Sequence, residues 1–375
     1  MGNIIVKEVE TKSDLRKFIA FIDKLYKGNE YKVPQLHMYE RSALMSKKNP
    51  AFEFCEAKYW LAYKNNKIVG RIAGIINHKS NEIWNEKYTR FGWIDFIDDI
   101  EVSKALIKTV EDWSKQKEMT AVHGPLGFTD MDLEGMLVEG FDEIGTQAVI
   151  YNYPYYPVHL EKLGYIKNTD WVQLKINIPD KVPEKITRVA EIVKKKYNLR
   201  LLKVKTAKEI LPYTKSMFDT LNESYKNLYG FVPLTEKQIT YYTKQYFSMV
   251  NPKYVGFVID EKDQVLAFGL SFLSLSKALM TAKGKLFPFG FIPILRAMKK
   301  NDTIDLLLHA VTPQYQNKGI PAIFYADMTQ ACIDDSIKTA ITSHILEDNK
   351  PSLQMFNAYD TQQHLRRRIY IKKNI

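Results

Sequence analysis

Apolar and polar residues alternate through Lys58–Tyr63, break at Asn65-Asn66-Lys67 and resume over Ile68–Ile76. A period of two around an asparagine turn predicts a β-hairpin. The pattern returns at Tyr254–Ile259, a turn over Glu261-Lys262-Asp263, and Val265–Phe272. Before each hairpin, apolar residues recur at helical spacing, over Lys12–Tyr26 and over Ala207–Leu228. After each hairpin the pattern predicts strand, helix and strand. These are Trp93–Ile97, Val102–Gln116 and Thr120–His123, then Ile304–Val311, Pro321–Asp334 and Thr339–Ile345. Each half closes on a short helix and a strand, Glu161–Tyr165 with Trp171–Ile176 and Leu353–Ala358 with Arg367–Ile371. A duplicated mixed α/β unit explains this order better than one large sheet. The joint falls near Ile178–Glu184, where Pro179 and Pro183 stand between charges.

The chain has 375 residues, more than one core usually supports, which agrees with two domains. Its two cysteines, Cys55 and Cys332, exclude a disulfide scaffold and a cysteine-rich zinc site, and fit a reducing cytoplasm. No apolar run approaches the roughly 18 residues of a membrane span. A net charge of +11 favours an anionic partner, whether a nucleotide cofactor, an acidic membrane face or nucleic acid. Zinc-finger spacing, RNP-type aromatics and a basic arm are all missing, so nucleic acid is not expected.

The sharpest local chemistry lies in Val311-Thr312-Pro313-Gln314-Tyr315-Gln316-Asn317-Lys318-Gly319-Ile320-Pro321-Ala322. The apolar strand Ile304–Leu308 runs into it, and the apolar helix Ile323–Cys332 follows. A strand, a glycine-bearing turn and a helix start aim backbone N–H groups at one point, where the helix dipole adds positive potential. Gly319 allows close approach of a pyrophosphate, Lys318 adds a cation, and Pro321 suits the first helical turn. A polar loop capping a core helix is the plainer reading of the same residues. The first half provides a control. Its corresponding turn, Asp95-Phe96-Ile97-Asp98-Asp99-Ile100-Glu101, has no glycine and four acids, which repel a diphosphate.

The turn resembles the pyrophosphate motif of the GNAT acyltransferase superfamily, Gln/Arg-x-x-Gly-x-Gly/Ala after Val-x-Pro. Val311, Pro313, Gln316 and Gly319 match, and Pro321, with Ala322 beside it, replaces the last small residue. More narrowly, the chain is similar to a bacterial family of tandem GNAT proteins. The similar segments are Gly124-Pro125, Leu137-Val138-Glu139-Gly140-Phe141-Asp142, Tyr151-Asn152-Tyr153-Pro154-Tyr155-Tyr156, Lys285-Leu286-Phe287-Pro288-Phe289-Gly290 and Ile345-Leu346-Glu347-Asp348-Asn349-Lys350-Pro351. Near the C-terminus Tyr359-Asp360-Thr361 stands where that family has Leu-Gly-Gly. Some members resemble bacterial ceramide synthases, which acylate the amine of a sphingoid base. The resemblance implies two GNAT-like domains, 1–178 and 179–375, each a mixed, mostly antiparallel sheet flanked by helices. Only the second carries the pyrophosphate loop. It further implies acyl-CoA, acetyl or long-chain, as co-substrate, an amine as acceptor and no metal. The cofactor site implied is Ala310, Val311, Gln316, Asn317, Lys318, Gly319, Ile320, Pro321, Ala322 and Asn349.

Acylating an amine requires a base for the nitrogen and a donor for the oxyanion. The resemblance places the Ala310–Val311 backbone at the thioester carbonyl. It also implies a tyrosine acid for the thiolate, seven residues after an asparagine; counting from Asn349 reaches Phe356, and Tyr359 lies one turn further. His309, on the strand entering the loop, is a candidate base or a structural histidine. Glu347 and Asp348 end the neighbouring strand, where adjacent carboxylates raise a pKa. Their alternative is a solvated cap in which Asn349 is the N-cap and Pro351 the first-turn proline. In the first half Asp130, Asp132, Glu134, Glu139 and Asp142 surround Gly135 and Gly140; either these acids recognise a cationic amine or they face solvent. The resemblance singles out Glu139 and Asp142 as substrate-binding. His123 is the one nearby imidazole, which disfavours a metal.

The most apolar stretch, Leu286–Leu295, contains Phe287, Phe289 and Phe291, with Lys283, Lys285, Arg296, Lys299 and Lys300 around it. Two prolines and its length forbid a spanning helix. It is a wedge into an anionic bilayer surface, a wall for an acyl chain, or a buried connection. With the resemblance, this favours a cytoplasmic acyltransferase with peripheral contact to an anionic membrane and a lipid-like amine as acceptor. The alternatives are acetyl transfer to a small or peptidic amine, and a silent CoA- or lipid-binding module.

Overall fold

The computed structural model describes residues 3–246 and 249–375. Two compact units form: Met1–Trp171 with Ser276–Pro293 and Leu365–Ile375, and Val172–Leu275 with Ile294–His364. The chain begins with β1 (Ile4–Glu8), α1 (Lys12–Leu25), α2 (His37–Leu44), β2 (Cys55–Lys64), β3 (Lys67–Asn77), α3 (His78–Ile83), β4 (Tyr88–Phe96) and α4 (Ile100–Gln116). It continues through β5 (Ala121–Gly124), β6 (Met136–Glu139), α5 (Tyr155–Lys162), β7 (Ile166–Asn177), α6 (Glu184–Tyr197), β8 (Arg200–Leu202), α7 (Thr214–Tyr225) and α8 (Glu236–Tyr246). Then come β9 (Val255–Ile259), β10 (Val265–Leu273), α9 (Ser276–Ala282), α10 (Phe291–Lys299), β11 (Thr303–Val311) and α11 (Pro321–Asp334). The last elements are β12 (Thr339–Thr342), β13 (Ile345–Leu346), α12 (Lys350–Gln354) and β14 (Asp360–Lys373).

The hairpin turn at Asn65 and Asn66 has φ of 50° and 60°, the left-handed pair that matches strand twist and that asparagine tolerates. In the first unit β1, β2, β3, β4, β5 and the C-terminal part of β14 follow one another, with β6 also on β14. Every neighbouring pair is antiparallel except β4 and β5. In the second unit the order is β7, β12, β11, β10, β9, β8, antiparallel except for β11 and β12. Each unit is therefore an antiparallel meander followed by a parallel pair joined through a helix, α4 in one and α11 in the other. This is the duplicated mixed α/β unit that the alternation pattern predicts, its sheet mostly antiparallel as the resemblance implies.

Details differ for local reasons. Pro212 divides the Ala207–Leu228 segment into a 3-10 helix, Ala207–Tyr213, and α7. The Leu286–Leu295 stretch is half loop and half helix, because Pro293 falls in the first turn of α10, where its missing N–H is tolerated. Helix α6 is not among the elements the pattern predicts. Its Ile186, Ala190 and Val193, at helical spacing, join the second core with Ile304, Leu306, Val311, Ile323 and Phe324. That core fixes the strand, turn and helix of the loop relative to one another.

Candidate functional site

Strands β11 and β12 pair for only part of their length, from Thr303 opposite Thr339 to Leu306 opposite Thr342. The Ser343 N–H closes the ladder on the Leu306 carbonyl at 2.7 Å. Strand β11 continues to Val311 without β12 beside it. Its pairing with β10 shifts register at Leu307, a bulge that bends the strand as the two part. Beyond the bulge, Thr312 N–H bonds the Leu266 carbonyl at 2.9 Å. Antiparallel alternation then turns the Ala310 N–H toward β10 and those of His309 and Val311 toward the open edge. Neither open-edge amide has a partner among the described residues. Their carbonyls are held: Tyr225 Oη donates to His309 at 2.8 Å, and Ser224 Oγ and Gln316 Nε2 donate to Val311 at 2.7 and 3.2 Å.

After a 3-10 turn over Pro313–Tyr315, Gly319 adopts a φ of 77° and α11 begins at Pro321. Among the described residues no side chain caps α11. The N–H groups of Ala322 and Ile323 turn back to Gly319 and Ile320 at 3.0 Å, while those of Asn317, Lys318, Gly319 and Ile320 have no partner among the described residues. A Cβ on Gly319 would lie 2.9 Å from a Val189 methyl of α6, so the positive φ and the close packing both require glycine. Lys318 stays at the loop because its ammonium lies 5.1 Å from the ring centre of Tyr315 and 5.4 Å from that of Tyr197.

The corresponding end of β4 is closed. Phe96 N–H donates to Tyr156 Oη at 3.1 Å, and Tyr155 Oη donates to the Phe96 carbonyl at 2.6 Å. Asp99 caps α4, accepting from Glu101 N–H at 3.1 Å, and pairs with Lys64 at 2.6 Å. The lysine hydrogen bond holds the Asp99 carboxyl below its usual range. Asp95 pairs with buried Arg71 at 2.8 Å, and Asp98 lies 3.1 Å from His159 Nε2. A diphosphate arriving here would find the donors taken and a carboxylate already in place.

His309 sits 3.4 Å from Tyr325 Oη through Nδ1, and burial pushes its imidazole down to about 4. It is neutral at pH 7 but a weak base, poorly matched to amine deprotonation. Asp305, which the sequence motifs do not single out, lies four residues before it on β11. It is 2% exposed, and among the described residues neither carboxylate oxygen makes a hydrogen bond of normal geometry. Burial pushes it up to about 7, with the Ser274 hydroxyl offsetting part of the rise. Its signal in the sequence is a single acid inside the apolar run Ile304–Leu308.

Glu347 is half-buried and Asp348 exposed. Asn349 caps α12, accepting from Ser352 N–H at 3.3 Å, with Pro351 in the first turn. Phe356 is buried 5.5 Å from the Tyr325 ring, and Tyr359 Oη lies 3.0 Å from Thr329 Oγ1, its pKa raised by burial. In the first unit Glu139 and Asp142 are exposed, and Glu139 pairs with Arg366 at 3.2 Å. Phe287 and Phe289 are 79% and 72% exposed, and Phe291 is also exposed. Among the described residues no His, Cys, Asp and Glu cluster fit for a metal occurs, and no helix is long and apolar enough to cross a membrane.

No family model matches the chain. It is 28% identical over 376 residues to Protein YghO of Escherichia coli (strain K12), covering 98% of this chain and 95% of that one. It is 27% identical over 301 residues to the Bacterial ceramide synthase of Caulobacter vibrioides, covering 80% and 77%. Among solved structures, a tandem GNAT protein from the clavulanic acid biosynthesis pathway matches 100% of this chain and 99% of its own, with a TM-score of 0.57 at 9% identity. With the duplicated sheet, the parted strands and the glycine turn described above, the likeness to the solved structure establishes that the chain has the tandem GNAT fold.

Proposed function

We propose that the second unit binds an acyl-CoA and transfers its acyl group to a primary amine, the acceptor being a lipid-like long-chain amine such as a sphingoid base. The observation that carries this reading is the parting of β11 from β12, which leaves two strand amides unpaired and leads into a turn with four more. A pantetheine arm, itself a chain of amides, pairs with such an edge as an added strand would. The diphosphate accepts from the Asn317–Ile320 amides at the start of α11, with Lys318 beside them. The His309 or Val311 N–H then faces the thioester carbonyl and steadies the oxyanion. Ala310, whose N–H points to β10, keeps the opposite strand face small.

Asp305 is the base in this scheme. The amine nitrogen attacks the thioester carbon, its proton passes to the Asp305 carboxylate through water, and the C–S bond breaks. The departing thiolate takes its proton from Tyr359 or from solvent. A carboxylate near 7 suits this work at neutral pH better than an imidazole near 4. His309, neutral and beside Tyr325, orients the edge instead.

Two observations support a lipid acceptor. Phe287 and Phe289 present bare rings to solvent in a segment that starts with Lys283 and Lys285, the makeup of a wedge for an anionic bilayer. A relative at 27% identity bears the name Bacterial ceramide synthase. The test is purified protein with acyl-CoAs of short and long chain, offered sphinganine or polar amines, with mass spectrometry for the amide. Amide on sphinganine upholds the proposal. Amide on polar amines alone assigns a small acceptor, and CoA binding without any amide leaves a silent module.

A further inference from the structure

Two ammonium groups of the second unit converge on one aromatic ring beside the glycine turn. Lys318 belongs to the turn and Lys196 to the last turn of α6, and their ammoniums lie 5.4 and 5.2 Å from the ring centre of Tyr197. Tyr315 packs edge-on against Tyr197 at 5.8 Å and its ring centre lies 5.1 Å from the Lys318 ammonium. Both lysines are exposed, and neither has a carboxylate partner among the described residues. Nearby cations do pair: Lys194 meets Glu191 at 2.9 Å, and Lys203 meets Asp327 of α11. The dipole at the end of α6 suits cations, which accounts for Lys194, Lys195 and Lys196 in a row. It does not account for Tyr197 and Tyr315 holding a lysine of another segment at the same place.

Helix α6 meets the turn through its valines. A Cβ on Gly319 would lie 2.9 Å from a Val189 methyl and 3.5 Å from a Val193 methyl. Lys196 follows Val193 by three residues and Val189 by seven, so helical spacing puts it on the flank that meets the turn. Ile192 precedes Lys196 by one turn on the same side and is 54% exposed. The glycine turn is therefore bordered by a bare apolar side chain and a cation from α6, and adds a second cation of its own.

We infer that Lys196 and Lys318 receive the 3′-phosphate of CoA, with the adenine against Ile192, so that this unit takes its acyl group from CoA and not from an acyl carrier protein. The inference rests on the acyl-CoA reading above. There the diphosphate lies on the Asn317–Ile320 amides, and the next group along CoA is a ribose bearing a 3′-phosphate and adenine. A carrier protein presents its acyl group on phosphopantetheine joined to a serine, with one phosphate and no nucleoside. A phosphate dianion makes charge-assisted hydrogen bonds with ammonium groups. A flat base removes an exposed apolar side chain from water. Because both cations are exposed, their contribution is modest and falls with salt.

The test titrates the full chain with CoA and with 3′-dephospho-CoA by calorimetry at low and at physiological salt. CoA should bind about tenfold more tightly at low salt, and the preference should shrink as salt rises. Lys196→Met should weaken CoA about threefold and leave 3′-dephospho-CoA as it is, while Lys196→Arg should keep the preference. An acyl carrier protein should not displace CoA. Equal affinity for the two cofactors, an equal loss for both in Lys196→Met, or displacement of CoA by the carrier protein at matching concentration would overturn the inference and leave the CoA reading standing. Binding of neither cofactor would overturn both.

Discussion

Replacing Asp305 by asparagine separates what this carboxylate does for chemistry from what it does to stability. Its pKa rises from 3.8 to about 7 on folding. Between those values the folded chain holds a proton that the unfolded chain has released, so stability falls as pH climbs from about 4 and has lost the full contribution above about 7. A rise of that size is worth about 4 kcal/mol, an upper figure because a real denatured state is partly compact. Asparagine keeps the shape and cannot ionise. At pH 8 the variant should therefore be more stable than the parent by up to about 4 kcal/mol, and at pH 4 the two should match. Urea unfolding of both proteins at the two pH values measures the difference directly. Activity should move the other way, with CoA release falling about 100- to 10,000-fold, the usual contribution of a general base. The parent's kcat/KM should rise with pH through about 7. Equal stability differences at pH 4 and pH 8 would refute the cost of burying the ionised carboxylate, and an active variant with an unchanged pH profile would refute the role as base.

Gly319→Ala places a methyl 2.9 Å from Val189 at a positive φ, and should weaken CoA binding by at least about tenfold in calorimetry. Tyr359→Phe should lower kcat by about tenfold or less with CoA affinity unchanged, since a thiolate leaves readily without an acid; steady-state kinetics decides. Phe287→Ser with Phe289→Ser should reduce co-sedimentation with anionic vesicles by about tenfold or more, at about 1.5–3 kcal/mol per buried ring, and leave CoA binding as it is.

Much of the fold is legible in the sequence because its signals are local. The Asn65-Asn66 turn, the α11 start at Pro321 and the hairpin of β9 and β10 follow from residues adjacent in sequence. Helix α6 is harder to read, because its three buried residues sit among five lysines and arginines that dilute the periodic signal. Strand partners are not local at all, so no pattern shows that Tyr370 lies opposite Gly124. The glycine turn is visible. What cannot be read is which amides stay unpaired, since that depends on where β12 stops and on the bulge at Leu307. Tyr155 and Tyr156 stand out in the sequence only as a family likeness; that they occupy the Phe96 backbone emerges only when α5 meets the end of β4. Asp305 escapes notice because one acid in an apolar strand is easily taken for an edge residue.

The central claim is that a diphosphate binds the unpaired amides before α11 and is refused at α4. Amide hydrogen exchange with and without CoA tests it most directly. The account predicts slowed exchange across Asn317–Ile320 and at His309 and Val311, with no change from Asp98 to Glu101. Protection at the α4 start, or none at the glycine turn under saturating CoA, would contradict it.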